Sequence, residues 1–326
     1  MSYSPAIYKN TSAFSFPADR CVALLPIIAW SVFAYGWRAL FITVISVFFA
    51  LAVYIPVTYA VKRQPLAYVV FDVILSAAVF SFTLPVSVPY YIPMLGGALA
   101  AVPSLWRPEN RKAFFGGFFS AAAVRLLFPK LLDRATQAFE YVSPFLFSPA
   151  ESDINSIRTY TPLQLLAEGK VSSGTLLDQL YGTISGNIGE ISVMLLLAGG
   201  IFLLARKKLR WQAPVSLLLT VGLVTLLLPE GDSEAIFFML VSLLSGGIVL
   251  AAVFACSDDL SLPITGTGRI VFGIGAGLIT LAVRYFTDSA EGIYAAVVIM
   301  GLLTPVIDRH TLPVAYGRTK IKGGKK

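Results

Sequence analysis

The sequence predicts an all-α integral membrane protein of about ten transmembrane helices, laid out as two inverted five-helix repeats with one long extracytoplasmic loop. Three observations lead there. Hydrophobic residues make up 56% of the 326 residues and charged residues only 13%, about half the share usual in soluble domains. Apolar runs recur ten times along the chain. Lys and Arg fall unevenly between the loops that join them. A mean hydropathy of +0.77 is too high for a soluble fold to bury, and it excludes disorder for the same reason.

The apolar runs lie at about 21–36, 38–61, 67–84, 90–106, 113–129, 191–206, 212–229, 236–257, 269–286 and 291–307. Ten spans put both termini on one side of the bilayer. With that side cytoplasmic, 18 of the 25 Lys and Arg residues face the cytoplasm, Arg20, Arg206, Lys207, Lys208 and Arg269 among them. Arg38, Arg125 and Arg284 are among the seven on the other side. This asymmetry is the positive-inside pattern. It accounts for the net charge of +7 without nucleic acid as a partner. The chain is expected in the plasma (inner) membrane, multi-pass, with both termini cytoplasmic. Residues 1–20 are polar and lack a basic region leading into an apolar run, so no removable signal peptide is expected.

Four stretches follow from this map. Residues 1–129 form the first five-helix repeat, 130–190 the extracytoplasmic loop, 191–308 the second repeat and 309–326 a basic cytoplasmic tail. The loop holds about sixty residues with Pro, Ser and Thr; loops of that length are usually functional.

The repeat is read from spacing. Leu84-Pro85 recurs as Leu262-Pro263, an offset of 178 that also carries Gly97 onto Gly275. Gly117 opens a run closing at Pro129, and Gly292 opens one closing at Pro305. Five spans per half is odd, so the second half is inverted, as in transport folds whose interrupted helices meet near the midplane. Pro85, Pro89 and Pro93 interrupt the first half; Gly266, Gly268, Gly273, Gly275 and Gly277 run through the matching region of the second. Gly273-Ile-Gly275-Ala-Gly277 follows no strand and is no dinucleotide fingerprint; small residues for close helix packing explain it better.

Ionisable residues inside a membrane are costly and mark function. Asp72 lies within the third span and Arg125 within the fifth, where a structural ion pair and an ion path both account for them. Asp258 and Asp259 close the eighth span just before Pro263, either as ion-path carboxylates or as exposed interfacial groups. Two cysteines, Cys21 and Cys256, and the single His310 are too few for a structural zinc site or an iron–sulfur cluster. The site prediction therefore includes no metal.

Tyr181-Gly-Thr-Ile-Ser-Gly-Asn-Ile-Gly189-Glu190-Ile-Ser192, followed by Leu195-Leu-Leu-Ala-Gly-Gly200, resembles the RnfD family of membrane proteins from the Rnf ion-translocating electron-transport complexes. The same resemblance continues through Phe254-Ala-Cys-Ser-Asp258, Pro263-Ile-Thr265, Gly268-Arg-Ile-Val-Phe-Gly273-Ile-Gly275, Glu291-Gly292 and Thr304-Pro-Val-Ile-Asp308-Arg309. It covers about residues 160–315, and the length fits RnfD better than the longer, related NqrB of the sodium-pumping NADH:quinone reductase.

The resemblance implies a membrane subunit of a machine that couples electron transfer between ferredoxin and NAD to pumping of Na+ or H+, not catalytic alone. It implies FMN bound covalently through a phosphoester to a threonine in a loop outside the cytoplasm. Thr161-Pro162-Leu163 matches the attachment motif, with Arg158-Thr159-Tyr160 where the family has Ser-Gly-Ala. Pro162 biases Thr161 toward extended backbone. Glu190 is the second candidate at the cofactor, and Asp258, Asp259 and Asp72 are the candidates for the ion path. A second, non-covalent flavin is compatible with the resemblance. The partners it implies are a second flavin-bearing subunit, subunits that oxidise ferredoxin or NADH, and the lipid bilayer. An inverted-repeat channel or secondary transporter, or a flavin-free scaffold subunit, fits the same composition and repeat.

Overall fold

The computed structural model describes residues 15–62, 67–105, 115–132, 174–183, 186–190, 192–229, 235–287 and 291–312. Its regular elements over these residues are helices: α1 (Ser15–Tyr35), α2 (Trp37–Lys62), α3 (Ala67–Phe82), α4 (Tyr91–Leu105), α5 (Gly116–Leu127) and the single turn α6 (Pro129–Leu132). The series continues with α7 (Gly174–Tyr181), α8 (Val193–Ala205), α9 (Gln212–Leu227), α10 (Ala235–Leu244), α11 (Ile248–Ala255), α12 (Gly266–Phe286) and α13 (Ile293–Thr311). The last five residues of α11, Ala251–Ala255, are π-helical.

Among the described residues, four helices are long and apolar enough to cross a membrane: Ala18–Tyr35 in α1, Trp37–Val61 in α2, and the whole of α12 and α13. The pair α10 and α11, bent by 57°, counts as a fifth. Helices α3, α4, α5, α8 and α9 are shorter and equally apolar. Such segments are helical because only a helix satisfies every backbone N–H and C=O within itself. Their outer faces stay apolar, with Phe48, Leu223 and Leu302 all exposed. The inner faces bury a core of large side chains, among them Phe80, Phe118, Phe254, Phe272 and Tyr294.

Small residues set the closest helix crossings. Gly97 of α4 lies against the backbone carbonyl of Ser46 in α2, where a Cβ has no room. Gly273 of α12 lies against Ala213 and Ser216 of α9 in the same way, one turn before Gly277 meets Thr220. The α2–α4 pair and the α9–α12 pair are the two most extensive helix contacts. The counterpart of Gly97 in the second half is thus Gly273; Gly275, expected from the offset of 178, faces Met300 of α13 instead.

Among the described residues, three breaks interrupt the helices. Between α3 and α4, residues 83–90 are buried and unwound, as Pro85 and Pro89 demand. The guanidinium of Arg38, itself fully buried, donates from Nε to the Val86 carbonyl (2.8 Å) and from Nη2 to that of Val88 (2.9 Å), and lies 4.6 Å from the Tyr90 ring centroid. Between α11 and α12, residues 256–265 form the second break, and Arg269 Nε donates to the Pro263 carbonyl (3.0 Å). Asp308 of α13 accepts from the Ile264 N–H (2.9 Å). Thr265 caps α12, its hydroxyl accepting from Gly268 N–H (3.0 Å).

The third break was not visible as a break in the sequence. The apolar run 236–257 reads as one span, yet the helix parts at Ser245-Gly246-Gly247. Gly246 and Gly247 have φ of 66° and 70°, left-handed values that favour glycine. Conversely, the glycines from Gly266 to Gly277 lie inside a regular helix, and the unwound stretch precedes them.

Candidate functional site

Two clusters of charged and polar side chains form at opposite ends of α13. The first joins the halves of the chain through one guanidinium. Arg20, in the second turn of α1, places Nη1 3.3 Å from Asp258 Oδ1 and Nη2 3.5 Å from Asp72 Oδ1. Arg20 is 1% exposed, Asp72 3% and Asp258 0%. Helix α3 supplies Asp72, and the turn after the π-helical segment supplies Asp258. Ser261 orients Asp258 by donating to its other oxygen, Oδ2, at 2.6 Å. π-helical turns inside helices recur at functional sites.

Asp259 turns elsewhere. It accepts from Arg269 Nη2 at 2.6 Å and so holds the arginine that caps the second break. Adjacent in sequence, Asp258 faces the buried guanidinium of α1 and Asp259 faces that of α12. The structure therefore brings together two of the three expected ion-path carboxylates and parts the third from them.

The second cluster surrounds the break between α10 and α11. Glu190 accepts a hydrogen bond from the buried Tyr294 hydroxyl at 2.6 Å. Arg125 forms an ion pair with Glu291, donates to the Thr83 carbonyl (3.0 Å) and stacks 4.9 Å from the Tyr294 ring centroid. Asn187 Nδ2 donates to Glu291 Oε1 at 2.8 Å. Arg284 donates to the Ser242 carbonyl and hydroxyl (3.0 and 2.8 Å) and to the Ser245 carbonyl (3.0 Å), satisfying oxygens that the helix break leaves open. Gln179 of α7 donates to the Ser245 hydroxyl at 2.8 Å.

The segment carrying Glu190 is fixed by backbone. Ile188 N–H donates to the Leu84 carbonyl and Gly189 N–H to that of Phe82, both at 2.9 Å. A Cβ on Gly189 would run into Phe82, so this close approach requires glycine. Glu190 and Asn187 thereby reach the first break from the segment just before the second half. Glu190 packs into the bundle on Tyr294. Arg125 pairs with Glu291, which settles its partner as an acid from the far end of the chain.

Thr161, the expected FMN anchor, lies outside the described residues. Several residues of these clusters escaped the sequence reading. Arg20 counts there only as a cytoplasmic-side cation, Tyr294 carries no local signal, and Arg284, although it lies within the apolar run 269–286, is not singled out. For Arg20 the available hint was its place directly before the apolar run that begins at Cys21.

Broken apolar helices packed into one bundle define a multi-pass helical membrane protein. The chain belongs to the NQR2, RnfD, RnfE family, whose model matches residues 1–317. It is 30% identical, over 99% of its length and 96% of the relative's, to the D subunit of the Na+-translocating ferredoxin:NAD+ oxidoreductase complex of Acetobacterium woodii. It is 29% identical to the D subunit of the ion-translocating oxidoreductase complex of Stutzerimonas stutzeri, covering 91% of this chain and 90% of that one. The D subunit of the proton-translocating ferredoxin:NAD+ oxidoreductase complex of Clostridium ljungdahlii is 27% identical, covering 97% of this chain and 96% of its own.

Proposed function

We propose that the chain is the D-type membrane subunit of a complex that couples electron transfer between ferredoxin and NAD+ to translocation of Na+ or H+. The observation that carries this reading is the meeting of Asp72 and Asp258, from opposite halves of a family member, on the buried Arg20. A carboxylate at such a place ligates Na+ through oxygen or relays a proton. Asp259 contributes by holding Arg269 and with it the break next to Asp258.

The reading includes ten spans in two inverted repeats. In its support, the second apolar helix of each half packs on the fourth, and each link before that fourth helix is held by a buried arginine, Arg38 or Arg269. Both termini are cytoplasmic, and the 130–190 loop faces the other side.

In this reading Thr161 bears FMN through a phosphoester, and a second flavin binds non-covalently among the subunits. The flavin supplies one- and two-electron redox chemistry, while the chain binds and orients it. Thr161 contributes the hydroxyl and Pro162 the extended backbone that projects it. The partners are the other subunits of the complex, with a second flavin-bearing subunit and those that oxidise ferredoxin or NADH.

Intact-mass measurement tests the flavin part when the chain is produced together with its flavin-attaching enzyme. The wild type should carry the added mass of FMN, and Thr161→Ala should lack it. An unmodified wild-type chain with no visible flavin absorption would favour a flavin-free scaffold or a transporter of the same fold.

A further inference from the structure

Helix α8 ends in a tight turn built on an unusual residue. Lys207 N–H donates to the Leu204 carbonyl and Lys208 N–H to that of Leu203, both at 2.9 Å. Helices that stop with this pair of bonds place their pivot residue in the left-handed region, where glycine is usual. Here the pivot is Lys207, with a φ of 57°, the one non-glycine residue of positive φ among the described residues. A side chain there strains the backbone, and such strain points to a use for the side chain. Leu209 is buried and pins the turn to the core. Four cations then stand within five residues: Arg206, Lys207, Lys208 and Arg210. Asp19 of α1 answers two of them, accepting from Arg206 at 2.9 Å and lying 3.9 Å from Lys208. Lys207 and Arg210 stay exposed and, among the described residues, pair with no acid. Trp211 beside them is also exposed. Next to the turn, α8 exposes Ile201 and Leu204, and α9 exposes Val215 and Leu219. Helix α8 packs chiefly on α1 and α9 chiefly on α12, so neither covers the apolar strip of the other.

We propose that the α8–α9 turn binds the headgroup of an anionic phospholipid. Lys207 and Arg210 take the phosphate and the headgroup charge, Trp211 lies at the level of the esters, and the acyl chains run along the two apolar strips. Cations at the ends of membrane helices attract anionic lipid, and an exposed tryptophan beside them suits the interface. A soluble acidic partner matches the cations but leaves the apolar strips unused. The inference is independent of the electron-transfer role, since it needs only a membrane bundle with this turn at its surface.

The test uses the assembled complex in phosphatidylcholine vesicles that carry increasing fractions of phosphatidylglycerol with a photoactivatable headgroup. After illumination, mass spectrometry of peptides from this chain locates the label. Labelling should saturate on the peptide that contains residues 206–211, and photoactivatable phosphatidylcholine should not label it above background. In Lys207→Gly and in Arg210→Gln, the half-saturating fraction of phosphatidylglycerol should rise about fivefold each, the scale of one cation near an anionic membrane. Lys207→Gly separates binding from folding. Glycine suits the left-handed backbone, so this variant should unfold in lipid-free detergent at the same temperature as the wild type or higher, while its lipid labelling falls. A lowered unfolding temperature would make Lys207 a residue of the fold and overturn the inference. So would equal labelling by the two lipids, or unchanged labelling in both variants. Absence of label from the turn in the assembled complex would assign the surface to another subunit. Loss of label on adding millimolar glycerol 1-phosphate would make the turn a site for soluble phosphate, and the lipid assignment would fall.

Discussion

Tyr294 donates its hydroxyl to Glu190 at 2.6 Å, joining the start of α13 to the segment that precedes α8. The tyrosine is fully buried, with its ring beside the Arg125 guanidinium and 5.8 Å from that of Phe118. The ring contacts thus tie α13 to α5 of the first half. Tyr294→Phe keeps the ring contacts and leaves a Glu190 oxygen without this donor. The expected cost is about 1–3 kcal/mol. A lowered unfolding temperature of the solubilised chain would show it, and an unchanged one would mean that Glu190 finds an equal donor elsewhere.

The break between α10 and α11 gives a sharper test. Gly247 has a φ of 70°, and a Cβ there would meet the Tyr294 hydroxyl and Glu190 Oε1. Gly247→Ala combines backbone strain with a clash and should cost about 1–3 kcal/mol or more. Gly186→Ala serves as the control, because a Cβ at Gly186 meets nothing within 4 Å. Equal thermal stability of the two variants would contradict the described geometry.

Arg38 makes a comparable prediction for the first break. Arg38→Met preserves much of the side-chain volume but strips the donors from the Val86 and Val88 carbonyls. Each buried acceptor left unmet costs about 1–3 kcal/mol. Arg38→Lys provides a single point donor for two carbonyls and should fall between wild type and Arg38→Met. Yield of folded chain in the membrane, together with protease resistance, reads out the order.

Orientation is tested in intact cells. Cysteines introduced at Ser156 and Ser173, in the loop expected outside the cytoplasm, should react with an impermeant thiol reagent. Labelling that requires broken cells would reverse the topology.

What the sequence made legible was local. The prolines at 85, 89 and 263 stand in unwound links, where the missing donor costs no helical bond, whereas Pro93 lies in the first turn of α4 and Pro26, Pro56, Pro103 and Pro305 lie inside helices. The apolar runs announce helices because the bilayer leaves no other way to satisfy the backbone. The glycines of α12 read correctly as packing residues, although the offset singled out Gly275 where the contact falls on Gly273. The break at Ser245-Gly246-Gly247 contains no proline, and its reason lies in Arg284, Gln179 and Tyr294, distant in the chain. The burial of Arg20 went unrecognised for the same cause. Its burial depends on Asp258, 238 residues away, and no count of charges along the chain records such a pairing. Asp258 and Asp259 looked alike as neighbours; the turn that separates them is set by Ser261 on one side and Arg269 on the other.

Helix α13 runs unbroken from the hydroxyl that Glu190 accepts to the carboxylate that holds Ile264. Tyr294 and Asp308 are fourteen residues apart, about 21 Å along the axis at 1.5 Å per residue. The two clusters are therefore mounted on one strut of fixed length. Any change that moves the link bearing Asp258 relative to the pocket around Glu190 must turn that strut, tilt it, slide it or bend it at Pro305. Stretching the gap between them is closed to this architecture, and motion at one cluster arrives at the other as a change of angle or position.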